Sequence, residues 1–103
     1  MTMQPTPGAY AFVPKLGELR DSVLFGDIWE RPELSKRDRS LITCAVLTAM
    51  YRTEELRGHL ARAVQNGVTK EELAEMITHV TFYSGWPTGV NASRVATEVF
   101  GQS

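Results

Sequence analysis

The sequence has a single cysteine, Cys44, and this scarcity excludes two kinds of thiol chemistry. One cysteine can form neither a disulfide within the chain nor the pair of thiols that a two-cysteine redox centre requires. A chain without structural disulfides is typical of the reducing cytoplasm, so we expect a cytoplasmic protein. The remaining role for Cys44 is that of a small apolar residue inside a buried helix.

The sequence has no large excess of positive or negative charge, and it has no long apolar run. Its formal net charge is -1, so no basic surface points to nucleic acid. The longest apolar segment, residues 41–50, is interrupted by Thr43 and Thr48 and is too short to cross a bilayer. The first ten residues contain no charged region followed by an apolar run, so we expect no signal peptide. We therefore expect neither a nucleic-acid partner nor a membrane partner.

What the sequence does contain is a series of helix signals. Its 103 residues suit one domain, which we place at residues 14–103, after a flexible arm at residues 1–13 that contains proline and glycine. No segment shows the alternation of a strand, and the fold class is predicted to be all-α. Apolar residues recur at three- and four-residue steps, and with the capping signals they predict helices at about residues 14–25, 36–51, 54–66, 70–84 and 88–100.

Two of the predicted helices have apolar residues on more than one face. In the second helix, Leu41 and Cys44 share a face, while Leu47 and Met50 point away from it. The fourth helix also carries apolar residues on two opposite faces. A helix that is apolar all round is buried all round, and a chain of this size has few helices to cover it. We therefore predict a homo-oligomer.

Both histidines lie in consecutive predicted helices that are joined by a short turn at residues 66–69. Glu55 and His59 are four residues apart and share one helix face, and so do His79 and Tyr83. His59 lies about 12 Å before the turn and His79 about 15 Å after it, at a rise of 1.5 Å per residue. An antiparallel helical hairpin would therefore bring the two histidines to a similar height, and we predict a site there.

A carboxylate one turn from an imidazole would orient the ring and favour its protonated form. His59 is therefore a candidate proton donor or acceptor near neutral pH, in a pocket walled by Tyr83 and Trp86. One alternative is a surface pair of Glu55 and His59 that contributes only a few tenths of a kcal/mol. Another is a metal site formed by Glu55, His59 and His79, but the spacing lacks the HExxH and paired-cysteine signatures. We expect no metal and no other cofactor.

The order and spacing of these residues resemble the carboxymuconolactone decarboxylase family. The resemblance covers about residues 16–100 and implies an all-helical fold of the alkylhydroperoxidase D type that assembles as trimers or hexamers. It also implies cofactor-free decarboxylation of a small carboxylated lactone in aromatic catabolism. The landmarks that carry it are Trp29, Arg39-Ser40, Glu54-Glu55-Leu56 with His59, Asn66-Gly67, Glu72, Glu75 and Tyr83-x-Gly85-x-Pro87.

The resemblance also implies roles for individual residues. Glu55 and His59 would be catalytic, with His59 as the proton donor and Glu55 as the group that orients it. Two other functions stay open: a small-ligand-binding protein that keeps the fold without the chemistry, and a relative of the peroxidase branch. The second is disfavoured because residues 53–55 stand where that branch has its CxxC pair.

In the decarboxylase interpretation, the residues that would bind the substrate are Arg39, His79, Tyr83 and Trp86.

Overall fold

All regular structure is helical in the computed structural model, which describes residues 8–101. The all-α prediction is therefore confirmed for the described residues, whereas residues 1–7 of the predicted arm lie outside them. The chain divides into an N-terminal unit that ends at Ser35 and a C-terminal unit that begins at Lys36. The helices are α1 (Pro14–Leu19), a π-helical turn (Arg20–Leu24), a 3₁₀ turn (Ile28–Glu30), α2 (Lys36–Ala49), α3 (Thr53–Gln65), α4 (Lys70–Ser84) and α5 (Trp86–Phe100). The single domain at residues 14–103 stays a prediction.

The N-terminal unit begins as the sequence predicts and then departs from a regular α-helix. Pro14 stands in the first turn of α1, where the missing N–H costs no helical hydrogen bond. The following turn widens, because the N–H of Phe25 donates to the carbonyl of Arg20 at 2.9 Å. Gly26 fits the end of this turn, since a Cβ there would lie 2.7 Å from two backbone carbonyl oxygens. Trp29 is buried, and its ring centroid lies 6.1 Å from that of Phe25.

The C-terminal unit is a four-helix arrangement in which the close pairs are α2 with α3, α4 with α5, α3 with α5, and α2 with α4. The turn between α3 and α4 is present as predicted, with Gly67 at a φ of 103°. However, α3 and α4 are not a close pair, so the prediction that they lie side by side as a hairpin is wrong. The physical reason is that both helices turn their buried stripes toward the core that they share with α2 and α5. The core residues are Cys44, Leu56, Leu60, Ala63, Val68, Leu73, Met76, Ile77, Ala92 and Val95.

Helix α4 begins at the predicted residue, and its start forms a capping box. The hydroxyl of Thr69 accepts a hydrogen bond from the backbone N–H of Glu72 at 3.0 Å, and the backbone N–H of Thr69 donates to the Glu72 carboxylate at 2.9 Å. The same carboxylate also pairs with Arg37 in the first turn of α2. Glu72 therefore both caps α4 and joins it to α2.

Two other helix starts differ from the prediction. Helix α3 begins at Thr53, one residue earlier than predicted, and no side chain caps it. The preceding turn is closed instead by Tyr51, whose φ of 65° is left-handed. Helix α5 begins at Trp86, earlier than predicted, because Pro87 fits the first turn of a helix rather than preventing it. No helix among the described residues is both long and apolar enough to cross a membrane.

Candidate active site

His59 and Glu55 lie at the edge of the buried face of α3. Leu56 and Leu60 hold that face in the core, with exposures of only 1% and 0%. The side chain of His59, adjacent to this stripe, is half-buried, and Glu55, one turn earlier, is exposed. The helix therefore presents an imidazole at the boundary between core and solvent.

The backbone and the imidazole ring of His59 have different surroundings. Its backbone carbonyl accepts a hydrogen bond from the thiol of Cys44 at 3.3 Å, which joins α3 to α2. Its Nδ1 atom is buried and has no hydrogen-bond partner among the described residues. A protonated Nδ1 would bury an N–H without an acceptor, which costs free energy. This geometry favours the neutral ring with its proton on Nε2.

The pKa of His59 is lowered from its ordinary value of 6.5. Burial of the ring is the largest cause, and the positive charge of Arg62 is the second; the charge of Glu55 acts in the opposite direction. Glu55 therefore favours the protonated imidazole, as predicted, but burial and the charge of Arg62 together lower the pKa by more than Glu55 raises it. The net result is a neutral ring near neutral pH in the protein without a bound substrate.

Arg62 is the residue that the sequence analysis missed. It follows His59 by three residues on α3, and only 6% of it is exposed. Its spacing from His59 could have been read from the sequence, because residues three apart are neighbours on a helix. Its burial could not, since an arginine with polar neighbours is normally assigned to solvent.

A row of buried small side chains between α2 and α3 was also not predicted, because its burial depends on how the helices pack. Ser40, Cys44 and Thr48 recur every four residues on the buried face of α2. The hydroxyl of Ser40, which is 1% exposed, accepts a hydrogen bond from the side-chain amide of Asn66 at 2.9 Å. The repeat of small residues at every fourth position was a usable signal, because such residues let two helices approach closely. A search for apolar residues alone does not identify this row, because two of its members are polar.

The other predicted site residues lie on other helices. His79 and Tyr83 are exposed on α4, with ring centroids 5.0 Å apart. Trp86 begins α5 and contacts Phe82 edge-to-face at 6.1 Å. Arg39 is half-buried on α2. The structure thus brings together Glu55 with His59 and His79 with Tyr83, but these pairs occupy helices that do not pack closely on each other.

A groove between α4 and α5, with a volume of about 710 Å³, is lined by Trp86 and by none of the other five predicted residues. Residues 8–101 contain no group of three histidine, cysteine, aspartate or glutamate side chains placed to hold a metal ion. The alternative metal set of Glu55, His59 and His79 is therefore not assembled in these helices. The chemistry that the geometry offers is that of a half-buried imidazole between an acidic and a basic neighbour.

The sequence pattern of the carboxymuconolactone decarboxylase family matches residues 14–98. The chain belongs to this family. It is 49% identical over 76 residues to the 4-carboxymuconolactone decarboxylase of Acinetobacter baylyi, an alignment that covers 74% of this chain and 57% of that enzyme. It is 35% identical over 75 residues to the nitrosuccinic acid decarboxylase of Metarhizium robertsii, with 73% and 52% covered.

A third relative is an uncharacterized 15.0 kDa protein of Paracoccus denitrificans, 30% identical over 80 residues, with 76% of this chain and 60% of that protein covered. The chain therefore spans little more than half the length of the curated relatives that it matches. The similarity establishes the family over the helical region that carries Glu55 and His59.

The thiol of Cys44 lacks the exposure and the low pKa that peroxide reduction by a thiol requires. Cys44 has no exposed surface, and burial raises the pKa of its thiol to about 12. A thiol nucleophile acts as the thiolate, which requires a lowered pKa and access. Cys44 instead packs in the core, as the sequence predicts, and its thiol donates a hydrogen bond to the backbone carbonyl of His59.

Proposed function

We propose that this chain is a cofactor-free decarboxylase of a small carboxylate-bearing compound, with His59 as the proton donor. The observation that carries the proposal is the Glu55–His59 pair on α3, in a chain that is 49% identical over 76 residues to a 4-carboxymuconolactone decarboxylase. Glu55 acts on His59 through its charge, because the imidazole lies within its electrostatic reach.

The reaction requires two things of the protein. Loss of carbon dioxide from a carboxylated lactone breaks a carbon–carbon bond and leaves its electron pair on the ring. The pair is delocalised toward the lactone carbonyl as a dienolate. The protein must stabilise that oxyanion and then deliver one proton to carbon. The half-buried imidazole of His59 suits the second task, because it is near the core and still reaches solvent.

The lowered pKa of His59 indicates when the proton arrives. Without substrate, burial and Arg62 keep the ring neutral. A bound carboxylate places a negative charge beside the imidazole and raises its pKa, because an opposite charge favours the charged form. The ring therefore takes up a proton with the substrate and becomes an imidazolium, which transfers its Nε2 proton to carbon after carbon dioxide leaves. One proton is consumed in each turnover, which balances the reaction.

The names of two relatives support a proposal for the substrate class. A carboxymuconolactone and a nitrosuccinic acid share a carboxylate that can leave as carbon dioxide and an electron-accepting group, a conjugated carbonyl or a nitro group, that takes up the electron pair. We infer that the substrate of this chain has the same two features. Arg39, on the helix that packs against α3, is proposed to bind a carboxylate. His79, Tyr83 and Trp86 are proposed as substrate contacts in the assembled protein, which we propose to be cytoplasmic and homo-oligomeric.

The test is turnover by the purified protein. Loss of 4-carboxymuconolactone, and separately of nitrosuccinate, is followed with wild type, His59→Ala and Glu55→Gln. We expect His59→Ala to lose at least about a hundredfold in kcat, the usual contribution of a general acid. We expect Glu55→Gln to be slower, since the imidazole loses the charge that favours its protonation.

The matched control for Glu55→Gln is Glu54→Gln, an exposed neighbour in the same turn, which we expect to keep wild-type activity. If His59→Ala turns over either compound as fast as wild type does, His59 is not the proton donor. If wild type acts on neither compound but both raise its melting temperature, the chain is a ligand-binding member of the family and not a decarboxylase of this class.

A further inference from the structure

Arg62 is a buried positive charge beside the proposed proton donor. Only 6% of it is exposed, and its charge lowers the pKa of His59. A cation in this position opposes the protonation that the donor needs. Its effect becomes favourable when an anion lies beside it, because opposite charges attract. In the proposed reaction two anions qualify: the carboxylate of the substrate and the oxyanion that forms when carbon dioxide leaves.

Glu55, His59 and Arg62 lie on one flank of α3. Glu55 and Arg62 are seven residues apart, so they point in nearly the same direction from the helix axis and lie about 10 Å apart along it. His59 lies between them, about 4.5 Å along the axis from Arg62 and about 6 Å from Glu55. The pKa of His59 responds to both charges, which agrees with this row. A substrate that contacts the imidazole therefore has a negative charge on one side and a positive charge on the other.

Contacts with α2 hold this flank in place. The thiol of Cys44 donates to the backbone carbonyl of His59 at 3.3 Å, and the side-chain amide of Asn66 donates to the Ser40 hydroxyl at 2.9 Å. Arg62 lies between these two contacts on α3, so its backbone is fixed relative to α2. Burial lowers the pKa of Arg62, yet a guanidinium stays charged near neutral pH. The positive end of the row is therefore a permanent charge at a fixed place.

The other arginine of α3 does not share this flank. Arg57 pairs with Glu98 of α5 at 2.8 Å. It precedes Arg62 by five residues, so the two arginines point in directions about 140° apart around the helix. Arg62 is thus the cation of α3 that lies with His59.

The chemistry of decarboxylation favours the oxyanion over the carboxylate as the partner of Arg62. The carbon–carbon bond breaks, and its electron pair moves to the oxygen of a conjugated carbonyl or nitro group. A cation beside the leaving carboxylate stabilises the starting state, whereas a cation beside the accepting oxygen stabilises the charge that develops in the transition state. The carbon next to the accepting group then takes the proton. The oxyanion therefore lies only two bonds from the atom that faces His59, within reach of a cation one helical turn away.

We infer that Arg62 provides the positive charge that stabilises the oxyanion, while His59 delivers the proton to carbon. This assignment rests on the proposed function and deepens it, because stabilisation of the oxyanion otherwise has no residue. The row also sets an orientation: the accepting group points toward Arg62 and away from Glu55, whose charge repels it. A cation beside a proton donor is then explained, since its unfavourable effect on the free imidazole is offset by its effect on the oxyanion.

The test is the binding of the intermediate itself. Loss of the carboxylate next to the nitro group converts nitrosuccinate into the nitronate of 3-nitropropionate, which is also obtained when 3-nitropropionate is treated with base. The nitro and nitronate forms have the same carboxylate and differ by one proton and by the negative charge of the accepting group. Calorimetry measures the Kd of each form with protein that carries His59→Gln, so that no imidazole protonates the nitronate. We expect this protein to bind the nitronate at least about tenfold more tightly than the nitro form.

Substitutions of Arg62 separate a charge on the oxyanion from a contact with the carboxylate. Arg62→Met should reduce the preference for the nitronate by at least about tenfold and leave binding of the nitro form nearly unchanged. Arg62→Lys keeps the charge and should retain most of the preference. In protein that retains His59, Arg62→Met should also lower kcat, even though it raises the pKa of the imidazole. The matched control is Arg57→Met, which removes the same charge from another flank of α3 and should keep the preference.

Equal weakening of both forms in Arg62→Met would overturn the assignment, because Arg62 would then bind the carboxylate. An unchanged preference would overturn it too, and so would the absence of any preference from the His59→Gln protein. Circular dichroism must show wild-type helix content, and Arg62→Gln, which keeps a hydrogen-bonding group, is the second variant if Arg62→Met does not fold.

The same measurements distinguish this assignment from the proposed function. Decarboxylation by the wild type, with a preference for the nitronate that does not depend on Arg62, would keep the proposed function and reject this role. A preference that depends on Arg62, in a protein that decarboxylates neither compound, would keep the oxyanion site and reject the proposed function.

Discussion

Arg62 lies three residues after His59 on α3, and its positive charge opposes protonation of the imidazole. Glu55 lies four residues before His59 and has the opposite effect. The imidazole is thus set between two charges of opposite sign on one helix, and burial decides the balance in favour of the neutral ring. A bound anion can reverse that balance, which is the property that the proposed reaction requires.

The first prediction concerns the pKa of His59 itself. In wild type we expect a pKa below 6.5, because burial and Arg62 both disfavour the charged ring. Arg62→Met should raise that pKa, and Glu55→Gln should lower it further. The measurement is a titration of the histidine ring protons by NMR, with His59→Gln used to assign the signal.

The two variants also separate the electrostatic explanation from a structural one. Arg62 is buried, so its replacement can disturb the fold, whereas Glu55 is exposed and its replacement should not. A pKa of His59 above 6.5 in wild type, or a rise in Glu55→Gln, would contradict the account.

The second prediction is that Cys44 is chemically inert in the folded protein. Its thiol has no exposed surface and a pKa of about 12, so at pH 8 only about one molecule in ten thousand carries the thiolate. A disulfide reagent such as dithiobis-nitrobenzoate should react with one thiol per chain in denaturant. Without denaturant it should react only as fast as the chain opens. Rapid stoichiometric labelling of the native protein would show that the α2–α3 contact is not closed.

The sequence predicted the features that depend on neighbouring residues. The capping box of Thr69 and Glu72 was predictable because all four groups that form it lie within one turn of chain. The edge position of His59 was predictable because helical spacing places it beside Leu56 and Leu60. These are local relationships, and a helix has the same geometry whatever packs against it.

The features that depend on which helix covers which face were not predictable. Periodicity shows that α3 and α4 each bury a stripe, but not that both stripes face α2 and α5 instead of each other. The prediction of one site at the level of His59 and His79 depended on that choice. The same limit applies to Arg62, since its distance from His59 follows from the sequence but its burial depends on the packing around α3.

The third prediction concerns the close contact of α4 and α5. In an exposed helix, Gly→Ala stabilises by about 1 kcal/mol, because alanine has the higher helix propensity. At Gly89 the added Cβ would lie 1.8 Å from the hydroxyl oxygen of Thr81 and 2.8 Å from its Cβ, so the helices must separate. We expect Gly89→Ala to lower the free energy of unfolding by about 1–3 kcal/mol, the usual cost of overpacking.

Urea denaturation measures this change, and Arg94→Ala, on the exposed side of the same helix, serves as the control. A surface substitution of that kind should stay within about 0.5 kcal/mol of wild type. A Gly89→Ala variant as stable as the control would mean that α4 and α5 do not approach each other as closely as the structure has them.

The fourth prediction is a loss of stability in mild acid that His59 causes. Its pKa is lowered in the folded protein, so the unfolded chain, with a pKa near 6.5, takes up the proton first as the pH falls. Well above pH 6.5 both states are neutral at this residue, and His59 contributes nothing to the pH dependence. Below pH 6.5 the unfolded state gains relative to the folded state, until the pH passes the folded pKa and the loss becomes constant.

The comparison of wild type with His59→Gln isolates this contribution, because every other titrating group is common to both proteins. We expect the wild type to lose stability relative to His59→Gln between pH 7.5 and pH 5.5, measured by urea denaturation at each pH. The measurements stop at pH 5.5 so that protonation of Glu72 does not contribute to the change in stability. Its carboxyl has a pKa below 4.5, because it accepts from the Thr69 backbone and pairs with Arg37. A stability difference that stays constant across the window would show that His59 titrates equally in both states, and the neutral buried ring on which the proposed proton uptake depends would then be wrong.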